Sequence, residues 1–112
     1  MNYKKWDIVL IPFPFTDLSV TKKRPGLVIS PDRYNKFSLD VIIVFMTSKL
    51  DGEKRFGDYR VQEWKKSSLP KPTIIRMKFA AIMSSLIVKK IGQLHQKDID
   101  RFSNELISFF TY

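Results

Sequence analysis

The feature that most constrains the fold is a nearly continuous apolar run at 40–48, which reads Asp-Val-Ile-Ile-Val-Phe-Met-Thr-Ser. It lacks the alternation of polar and apolar residues, as is typical of a strand that is buried on both faces. A strand of this kind needs a neighbouring strand on each side, so we expect 40–48 to be central in a sheet. Where it ends, it delivers two hydroxyls, Thr47 and Ser48, to the sheet edge.

Shorter β-prone segments surround this run. The segment Trp6–Phe15 predicts a strand that ends at Pro12 and Pro14, because proline cannot donate to a sheet ladder. Strand chemistry resumes at Arg24–Ser30. Further short strands are expected at 58–61, 73–77, 79–83 and 86–91, whereas loop compositions occupy 16–23, 34–39, 49–55 and 65–72.

Only the last part of the chain is expected to be helical. Apolar side chains recur there at steps of three and four residues, which indicates one stripe of an amphipathic helix: Ile99, Phe102, Leu106, Phe109 and Phe110. Asp98 and Asp100 would lie in its first turn, where the helix dipole favours anions. With 112 residues, the chain predicts one domain, 1–112, of mainly β (α+β) class. We expect five to seven strands in a small, strongly bent sheet or barrel, with the C-terminal amphipathic helix packed on it.

Charge and composition limit the partners. Twenty Lys and Arg against 11 Asp and Glu give a net charge of +9, which favours nucleic acid, an anionic membrane surface or an acidic protein segment. The chain has no cysteine, so disulfides and thiolate metal sites are excluded. No apolar stretch is long enough for a signal peptide or a membrane helix, and we expect a cytoplasmic protein without membrane association.

The segment Lys22-Lys23-Arg24-Pro25 places three cations at the entry to a strand. Proline biases the backbone of the preceding residue to the extended region, which fixes the direction in which the Arg24 side chain leaves the sheet. An arginine held in this way offers a planar fork that matches two phosphate oxygens. A solvated basic loop that only keeps the protein soluble is the alternative interpretation.

Three other polar features have both structural and functional interpretations. Thr47 and Ser48 either bind a phosphate or cap the turn after their strand. Arg76 lies inside a strand-like stretch, where an arginine usually reaches the rim or pairs with an acid. His95 precedes the terminal helix, where an N-cap or exposed loop position is favoured over a general acid or base. With one histidine, the chain cannot form a His-rich metal site.

Aromatic side chains lie in or beside the basic loops. They either stack on unpaired bases or belong to the core, and they are Tyr34, Phe37, Phe56, Tyr59 and Trp64.

Read in order, the motifs of this chain resemble the MazF/PemK family of toxin endoribonucleases. The resemblance rests on 8–19 (Ile-Val-Leu-Ile-Pro-Phe-Pro-Phe-Thr-Asp-Leu-Ser), 22–31 (Lys-Lys-Arg-Pro-Gly-Leu-Val-Ile-Ser-Pro) and Thr47-Ser48 at the end of the apolar strand. It continues through Gly57-Asp58-Tyr59, 69–76 and 86–94, so it covers nearly the whole chain. Each piece alone is weak, but the ordered set is specific.

This resemblance implies an SH3-like β-barrel with a C-terminal helix, a homodimer, and cofactor-free, metal-independent cleavage of single-stranded RNA that a cognate acidic antitoxin restrains. Arg24 matches the arginine of the family's Arg-Pro motif, and Thr47 matches the threonine that ends the central strand; both are active-site positions. Arg76 matches an arginine that some members use in catalysis. The remaining residues expected to contact RNA are Asp17, Lys22, Lys23, Ser48 and Lys78.

The implied chemistry uses the ribose 2′-hydroxyl as nucleophile and leaves a cyclic phosphate. Because the pKa of arginine is above about 12, Arg24 and Arg76 are suited to stabilise charge on phosphorus and unsuited to accept a proton. Thr47 would position the substrate by hydrogen bonding. The sequence does not indicate which residue is the general base.

Two departures from the family pattern leave a second hypothesis open. Several members carry Glu or His in the loop before the Arg-Pro motif, where this chain has Leu18-Ser19 and Asp17 is the nearest ionisable substitute. In some members an acid lies two positions after the arginine matched by Arg76, where this chain has Lys78. The alternative is therefore a non-catalytic member that binds RNA or an acidic antitoxin-like protein. A DNA-binding module is disfavoured, since no helix before the terminal one is available to enter a major groove.

Overall fold

The computed structural model of the protein describes residues 2–13 and 22–112. Within these ranges the chain forms six strands in one antiparallel sheet of order β4-β5-β3-β2-β1-β6. The elements are β1 (Asp7–Phe13), β2 (Lys22–Val28), α1 (Asp32–Phe37), β3 (Asp40–Thr47), β4 (Tyr59–Arg60), β5 (Ile74–Met83), a 3₁₀ turn (Ser84–Leu86), β6 (Lys89–Gln93) and α2 (Gln96–Thr111). The predicted class, a mainly β sheet followed by a C-terminal helix, is confirmed.

The apolar run at 40–48 forms β3, which lies between β2 and β5 in the interior of the sheet. Val41 and Ile43 are buried on one face, and Val44 and Met46 are buried on the other. The prediction of a central strand covered on both sides is therefore confirmed, and the cause is the burial of each face in a separate apolar cluster.

These two clusters show how the sheet is covered. On one face, the fully buried ring of Phe102 from α2 packs among strand residues and meets Trp6 edge-on, with ring centroids 6.3 Å apart. On the other face, buried side chains of β1, β2 and β3 pack together with Tyr3 and Ile87. The predicted apolar stripe of the terminal helix is therefore confirmed for Ile99, Phe102 and Leu106, which pack in or against the first of these clusters, whereas Phe110 is 68% exposed. In the described part of the chain, neither helix has the length and apolar character needed to cross a membrane.

The expectation that only the end of the chain is helical was wrong. Residues 34–39, predicted as a loop, are largely contained in the short helix α1. This helix has no apolar stripe to reveal it, since Asn35 is its buried residue. The Asn35 side-chain amide donates to the carbonyls of Tyr3 and Ser30 at 3.1 Å each, so polar contacts rather than apolar packing fix the helix.

Some of the predicted strand bounds also changed. Strand β1 ends at Phe13, between Pro12 and Pro14 as predicted, with Pro12 still paired opposite Lys23. The segments predicted as separate strands at 73–77 and 79–83 form one long strand, β5. Two strands were predicted because the charged Lys78 interrupts the apolar pattern, but the strand continues through this residue. Of the loop predicted at 16–23, residues 22 and 23 belong to β2, and Asp17 lies outside the described residues.

Candidate functional site

A cavity of about 340 Å³ opens where β2, β3 and β5 meet the loop that follows β3. It brings together Arg24, Thr47 and Arg76, the three residues that the sequence predicts as catalytic. Its complete lining is Arg24, Phe45, Met46, Thr47, Lys49, Gly52, Glu53, Arg55, Arg76 and Lys78. A larger cavity of about 500 Å³, lined by residues of α1 and of the turn after β5, contains none of the predicted site residues.

Strand register brings Arg24 close to Thr47. The ladder between β2 and β3 ends with Gly26 opposite Phe45, and Arg24 and Thr47 each lie two residues beyond that last pair. Both residues also line an adjoining cavity of about 220 Å³, together with Lys23 and Ser48. Arg24 and Thr47 therefore line the same two cavities.

The turn-capping interpretation of Thr47 is confirmed. Its Oγ1 accepts a hydrogen bond from the Lys49 N–H at 3.2 Å, which is the turn chemistry expected at a strand end. A hydroxyl that accepts one hydrogen bond can still donate its own proton. Thr47 is therefore fixed by the turn and remains able to donate into the cavity that it lines.

An irregularity between β3 and β5 places Arg76 and Lys78 in the same cavity. Val44 lies opposite Phe79 and Met46 opposite Ile75, so the single residue Phe45 faces residues 76–78 of β5. Extra residues of this kind bend a strand and redirect its side chains, and they recur beside active sites. Lys78, the charged residue at which the sequence analysis divided β5 into two strands, therefore lies in the irregular segment that lines the cavity.

The guanidinium of Arg76 is held by Asp58. Arg76 Nε donates to Asp58 Oδ1 at 3.2 Å and Nη2 donates to Oδ2 at 3.1 Å, with a longer contact of 3.4 Å from Nη2 to the Glu53 carbonyl. The Asp58 side chain is only 2% exposed and that of Arg76 is 19% exposed. Of the structural interpretations of Arg76, pairing with an acid is the one confirmed.

Asp58 also ties the loop after β3 to this pair, because its Oδ2 accepts from the Arg55 N–H at 3.0 Å. Burial raises the pKa of Asp58, but the hydrogen bonds from Arg76 and Arg55 and the charges of both arginines outweigh it and hold the pKa below its usual value. Asp58 is therefore a fixed anion at neutral pH. It lines a neighbouring cavity of about 270 Å³ with Arg76 and does not line the cavity of Arg24 and Thr47, so it holds Arg76 from outside that cavity.

Sequence reasoning missed Asp58. The available signal was indirect: a charged residue in a strand-like stretch needs an acid when it is partly buried, but nothing in the pattern indicated which acid.

The residue after Asp58 is anchored to the terminal helix. Tyr59 Oη donates to Asp98 Oδ1 at 2.6 Å, and the backbone N–H groups of Gln62 and Glu63 donate to the same carboxylate at 2.8 Å each. Asp98 is fully buried. Burial, followed by the hydrogen bond and charge of Asp98, raises the pKa of Tyr59. The acid predicted to complement the helix dipole thus also locks β4, and with it the backbone that carries Asp58.

The charge of the 340 Å³ cavity is strongly positive. One acidic residue, Glu53, lines it against five cations: Arg24, Lys49, Arg55, Arg76 and Lys78. Carboxylates accept protons at neutral pH far more readily than guanidinium groups, so Glu53 is the described lining residue best suited to act as a base. Sequence reasoning missed Glu53 because this residue lies in the charged segment at 49–55, which was interpreted as an exposed connecting loop.

The other predicted residues are distributed as follows. Lys78 lines the cavity, and Lys23 and Ser48 line its 220 Å³ neighbour. Lys22 begins β2. His95 lies elsewhere, as the N-cap of α2, where its Nδ1 accepts from the Lys97 N–H at 3.2 Å.

The predicted aromatic residues divide between core and surface. Tyr59 and Trp64 pack against the apolar cluster that contains Phe102, which favours the core interpretation for both. Tyr34 is 38% exposed, whereas Phe37 and Phe56 are 85% and 87% exposed and remain available for contacts outside the chain.

Comparison with known proteins supports the sequence resemblance. A family model described as "PemK-like, MazF-like toxin of type II toxin-antitoxin system" matches residues 4–110. Among curated proteins, no sequence matches the chain.

Similar solved structures include an endoribonuclease in complex with its cognate antitoxin from a mycobacterial species, with TM-score 0.76, 10% identity and coverage of 95% of this chain and 92% of that chain. The Mycobacterium tuberculosis toxin MazF-mt6 has TM-score 0.72 and 14% identity, with coverage of 93% and 95%. MazF from Deinococcus radiodurans has TM-score 0.69 and 17% identity, with coverage of 100% and 99%. At these identities the likeness to solved structures establishes a shared fold.

Proposed function

Because this chain belongs to the family of PemK-like, MazF-like toxins of type II toxin–antitoxin systems, we propose that it is an endoribonuclease that cleaves single-stranded RNA. The observation that carries the proposal is the gathering of Arg24, Thr47 and Arg76 in one cationic cavity. A phosphodiester in this cavity would meet two guanidinium forks and a hydroxyl donor. Hydrogen-bond donors that are held in place before the reaction stabilise the charge that develops in the transition state.

The proposed reaction is transesterification at phosphorus. The ribose 2′-oxygen loses its proton and forms a bond to phosphorus, the bond from phosphorus to the 5′-oxygen breaks, and the 5′-oxygen gains a proton. The products are a 2′,3′-cyclic phosphate and a 5′-hydroxyl. In this scheme Arg24 and Arg76 stabilise the negative charge on the phosphoryl oxygens, and Arg76 also supports the leaving oxygen. No metal ion is assigned to any step.

Thr47 and Glu53 take the remaining roles in this scheme. Thr47 donates a hydrogen bond to a phosphoryl oxygen, since its hydroxyl is already oriented by the turn to Lys49. Glu53 accepts the proton of the 2′-hydroxyl. Its backbone carbonyl lies 3.4 Å from Arg76 Nη2, so the residue that takes the proton is next to the cation that stabilises phosphorus.

Asp58 acts as a positioning residue. It occupies Nε and Nη2 of Arg76 from outside the cavity, which fixes the plane of the guanidinium without neutralising the other cations of the lining. An arginine fixed in this way loses less side-chain entropy when it binds a phosphate.

A second candidate function is binding without turnover, and the exposed Lys78 in the cavity favours it, because a cation there strengthens phosphate binding. Such a protein would bind RNA with an affinity that falls steeply with salt concentration and would leave the RNA intact. Measuring binding and cleavage of one RNA in the same samples separates the two functions.

We also propose an acidic antitoxin and a second copy of the chain as protein partners, and the cytoplasm as the location. A net charge of +9 favours an acidic antitoxin segment. Large exposed apolar side chains, among them Phe37, Leu39, Met83 and Leu86, give a second copy a surface to cover. Light scattering of the purified protein with and without a short acidic partner tests both associations.

Induced expression tests the enzymatic proposal directly. The wild-type protein should slow growth and cleave a long unstructured RNA, and Arg24→Ala should do neither. Arg33→Ala is the matched control, because it removes an exposed arginine from α1, outside the cavity. If the wild-type protein leaves both growth and RNA unaffected, the enzymatic proposal fails.

A further inference from the structure

A small cavity of about 170 Å³ lies between the loop before β4 and the last turns of α2. It is lined by Phe56, Gly57, Glu105, Ser108, Phe109 and Tyr112. We propose that this base pocket, as we call it, binds one unpaired base of the RNA whose phosphates occupy the cationic cavity. The proposal rests on the proposed function, because it assigns a contact to the same RNA.

The aromatic walls of the base pocket are supported from behind. The ring of Phe56 lies 6.2 Å from that of Phe109 at an interplanar angle of 40°. Phe109 in turn lies 6.1 Å from Phe79 and 5.2 Å from Phe110. Phe109 is therefore braced by other rings, whereas Phe56 is 87% exposed and offers most of its surface to a ligand. A planar base can stack on such a surface whatever its identity, because every base has a π-face.

Backbone geometry links the base pocket to the cationic cavity. Arg55 lines the cavity, Phe56 lines the base pocket, and Asp58 binds Arg76. Between them, Gly57 has φ +86°, and a Cβ added to it would lie 2.7 Å from Cγ of Met77. Only glycine fits this turn without displacing a neighbour. The turn therefore fixes the position of Phe56 relative to Arg24 and Arg76, the two arginines proposed to bind phosphate.

The polar rim indicates which bases fit. Glu105 and Ser108 are three residues apart on α2 and therefore share one face of the helix. A carboxylate accepts hydrogen bonds from the exocyclic amino groups of adenine, cytosine and guanine. Uracil has no such group, and its N3–H lies between two carbonyl oxygens that repel a carboxylate. The base pocket should therefore disfavour uracil.

RNA is favoured as the occupant because an exposed stacking ring and exposed cations occur together here. Exposed cations lie beside the base pocket in sequence, at Lys54, Arg55 and Arg60. A stacking ring beside a row of cations is the combination by which proteins hold single strands, with the cations on the backbone and the ring on the base.

Binding of a 2′-O-methyl RNA of mixed sequence tests the proposal, since methylation removes the nucleophile and permits an equilibrium measurement. Phe56→Ala should weaken binding about 5- to 150-fold, the range found when a stacking side chain is truncated. Phe56→Tyr should retain wild-type affinity. Ile107→Ala is the matched control, because Ile107 is a 64% exposed apolar side chain of α2 that does not line the base pocket, and it should bind like the wild type.

Two further measurements identify the ligand as a base. An abasic residue introduced along the RNA should weaken binding at one position in the wild-type protein and should cost Phe56→Ala nothing more at that position. Glu105→Gln should relieve the discrimination against uracil there, because an amide can donate to a carbonyl oxygen.

The outcomes separate this proposal from the proposed function. If the wild-type protein binds and cleaves RNA but Phe56→Ala binds equally well, the base pocket is refuted and the proposed function stands. If Phe56→Ala alters self-association or antitoxin affinity and leaves RNA affinity unchanged, the base pocket is refuted as an RNA contact and is a protein-docking surface. If the wild-type protein does not bind RNA at all, both proposals fail.

Discussion

Asp58→Asn is the substitution whose effect follows most directly from the geometry of the site. It keeps the shape of the side chain and removes the charge that pairs with Arg76. The wild-type pair has two contacts, of 3.1 and 3.2 Å, and places a carboxylate that is 2% exposed against a guanidinium that is 19% exposed. A neutral amide in place of the carboxylate could accept from one edge of the guanidinium but could not attract it as an anion does.

The loss of stability can be bounded. Removing one partner of a fully buried ion pair costs about 3–5 kcal/mol, and a hydrogen bond to a charged group contributes about 1.5–3 kcal/mol. Arg76 is partly exposed and can regain hydration, so we expect a loss of about 2 kcal/mol in the free energy of unfolding. Urea denaturation measures it without the ionic screening that guanidinium would add. Asp51→Asn, which changes an exposed acid of the same loop, is the control and should change the stability little.

The effect on cleavage should fall on kcat. Removing an electrostatic stabiliser from an active site typically costs about 10²–10³ in kcat, and Asp58→Asn only loosens one, so we expect a loss of about tenfold. The substitution removes one negative charge beside Arg76, which makes the site more positive, so RNA binding should stay equal or strengthen. Single-turnover cleavage and equilibrium binding separate the two quantities.

The pH dependence of stability gives an independent check. Because the folded-state pKa of Asp58 is lower than its unfolded value, the unfolded chain binds more protons as the pH falls through this range. The advantage of the wild-type protein over Asp58→Asn should therefore be constant above about pH 5 and disappear as the pH falls through the lowered folded pKa. Equal stability and equal kcat in the two proteins at pH 7 would refute the role assigned to Asp58.

Substitutions at three further residues test single contacts. Thr47→Val should lower kcat about tenfold or more through loss of one donor, whereas Thr47→Ser should retain activity in the same cleavage assay. Glu53→Gln should lower kcat, because an amide cannot accept the proton of the 2′-hydroxyl, and an unchanged kcat would exclude Glu53 as the base. Tyr59→Phe should cost about 1–2 kcal/mol in urea denaturation, because Asp98 loses one of its donors, without changing RNA affinity; a loss of affinity would contradict its purely structural role.

The fold could be predicted where apolar pattern and burial coincide. The run at 40–48 was recognisable as a central strand because both of its faces are covered, and the stripe that contains Phe102 was recognisable because α2 packs on one side only. Helix α1 was missed because its buried residue is an asparagine that binds backbone carbonyls, and amphipathic patterning does not report such contacts.

The candidate site divides in the same way. Arg24, Thr47 and Arg76 were predicted from motif order, and the register of β2, β3 and β5 brings them into one cavity. Asp58 and Glu53 were not predicted, because each depends on how the loop after β3 folds back onto β5. The contact between a loop acid and a strand arginine 18 residues later is a tertiary interaction that no local pattern encodes.

The measurement that tests the central claim most directly is the identity of the RNA ends produced by the purified protein. The account predicts that the wild-type protein, in the presence of a metal chelator, converts a long unstructured RNA into fragments with 2′,3′-cyclic phosphate and 5′-hydroxyl ends. Arg24→Ala, purified in parallel, should produce none, and Arg33→Ala should produce them at the wild-type rate. Intact RNA with the wild-type protein, or equal cleavage by Arg24→Ala, would contradict the account.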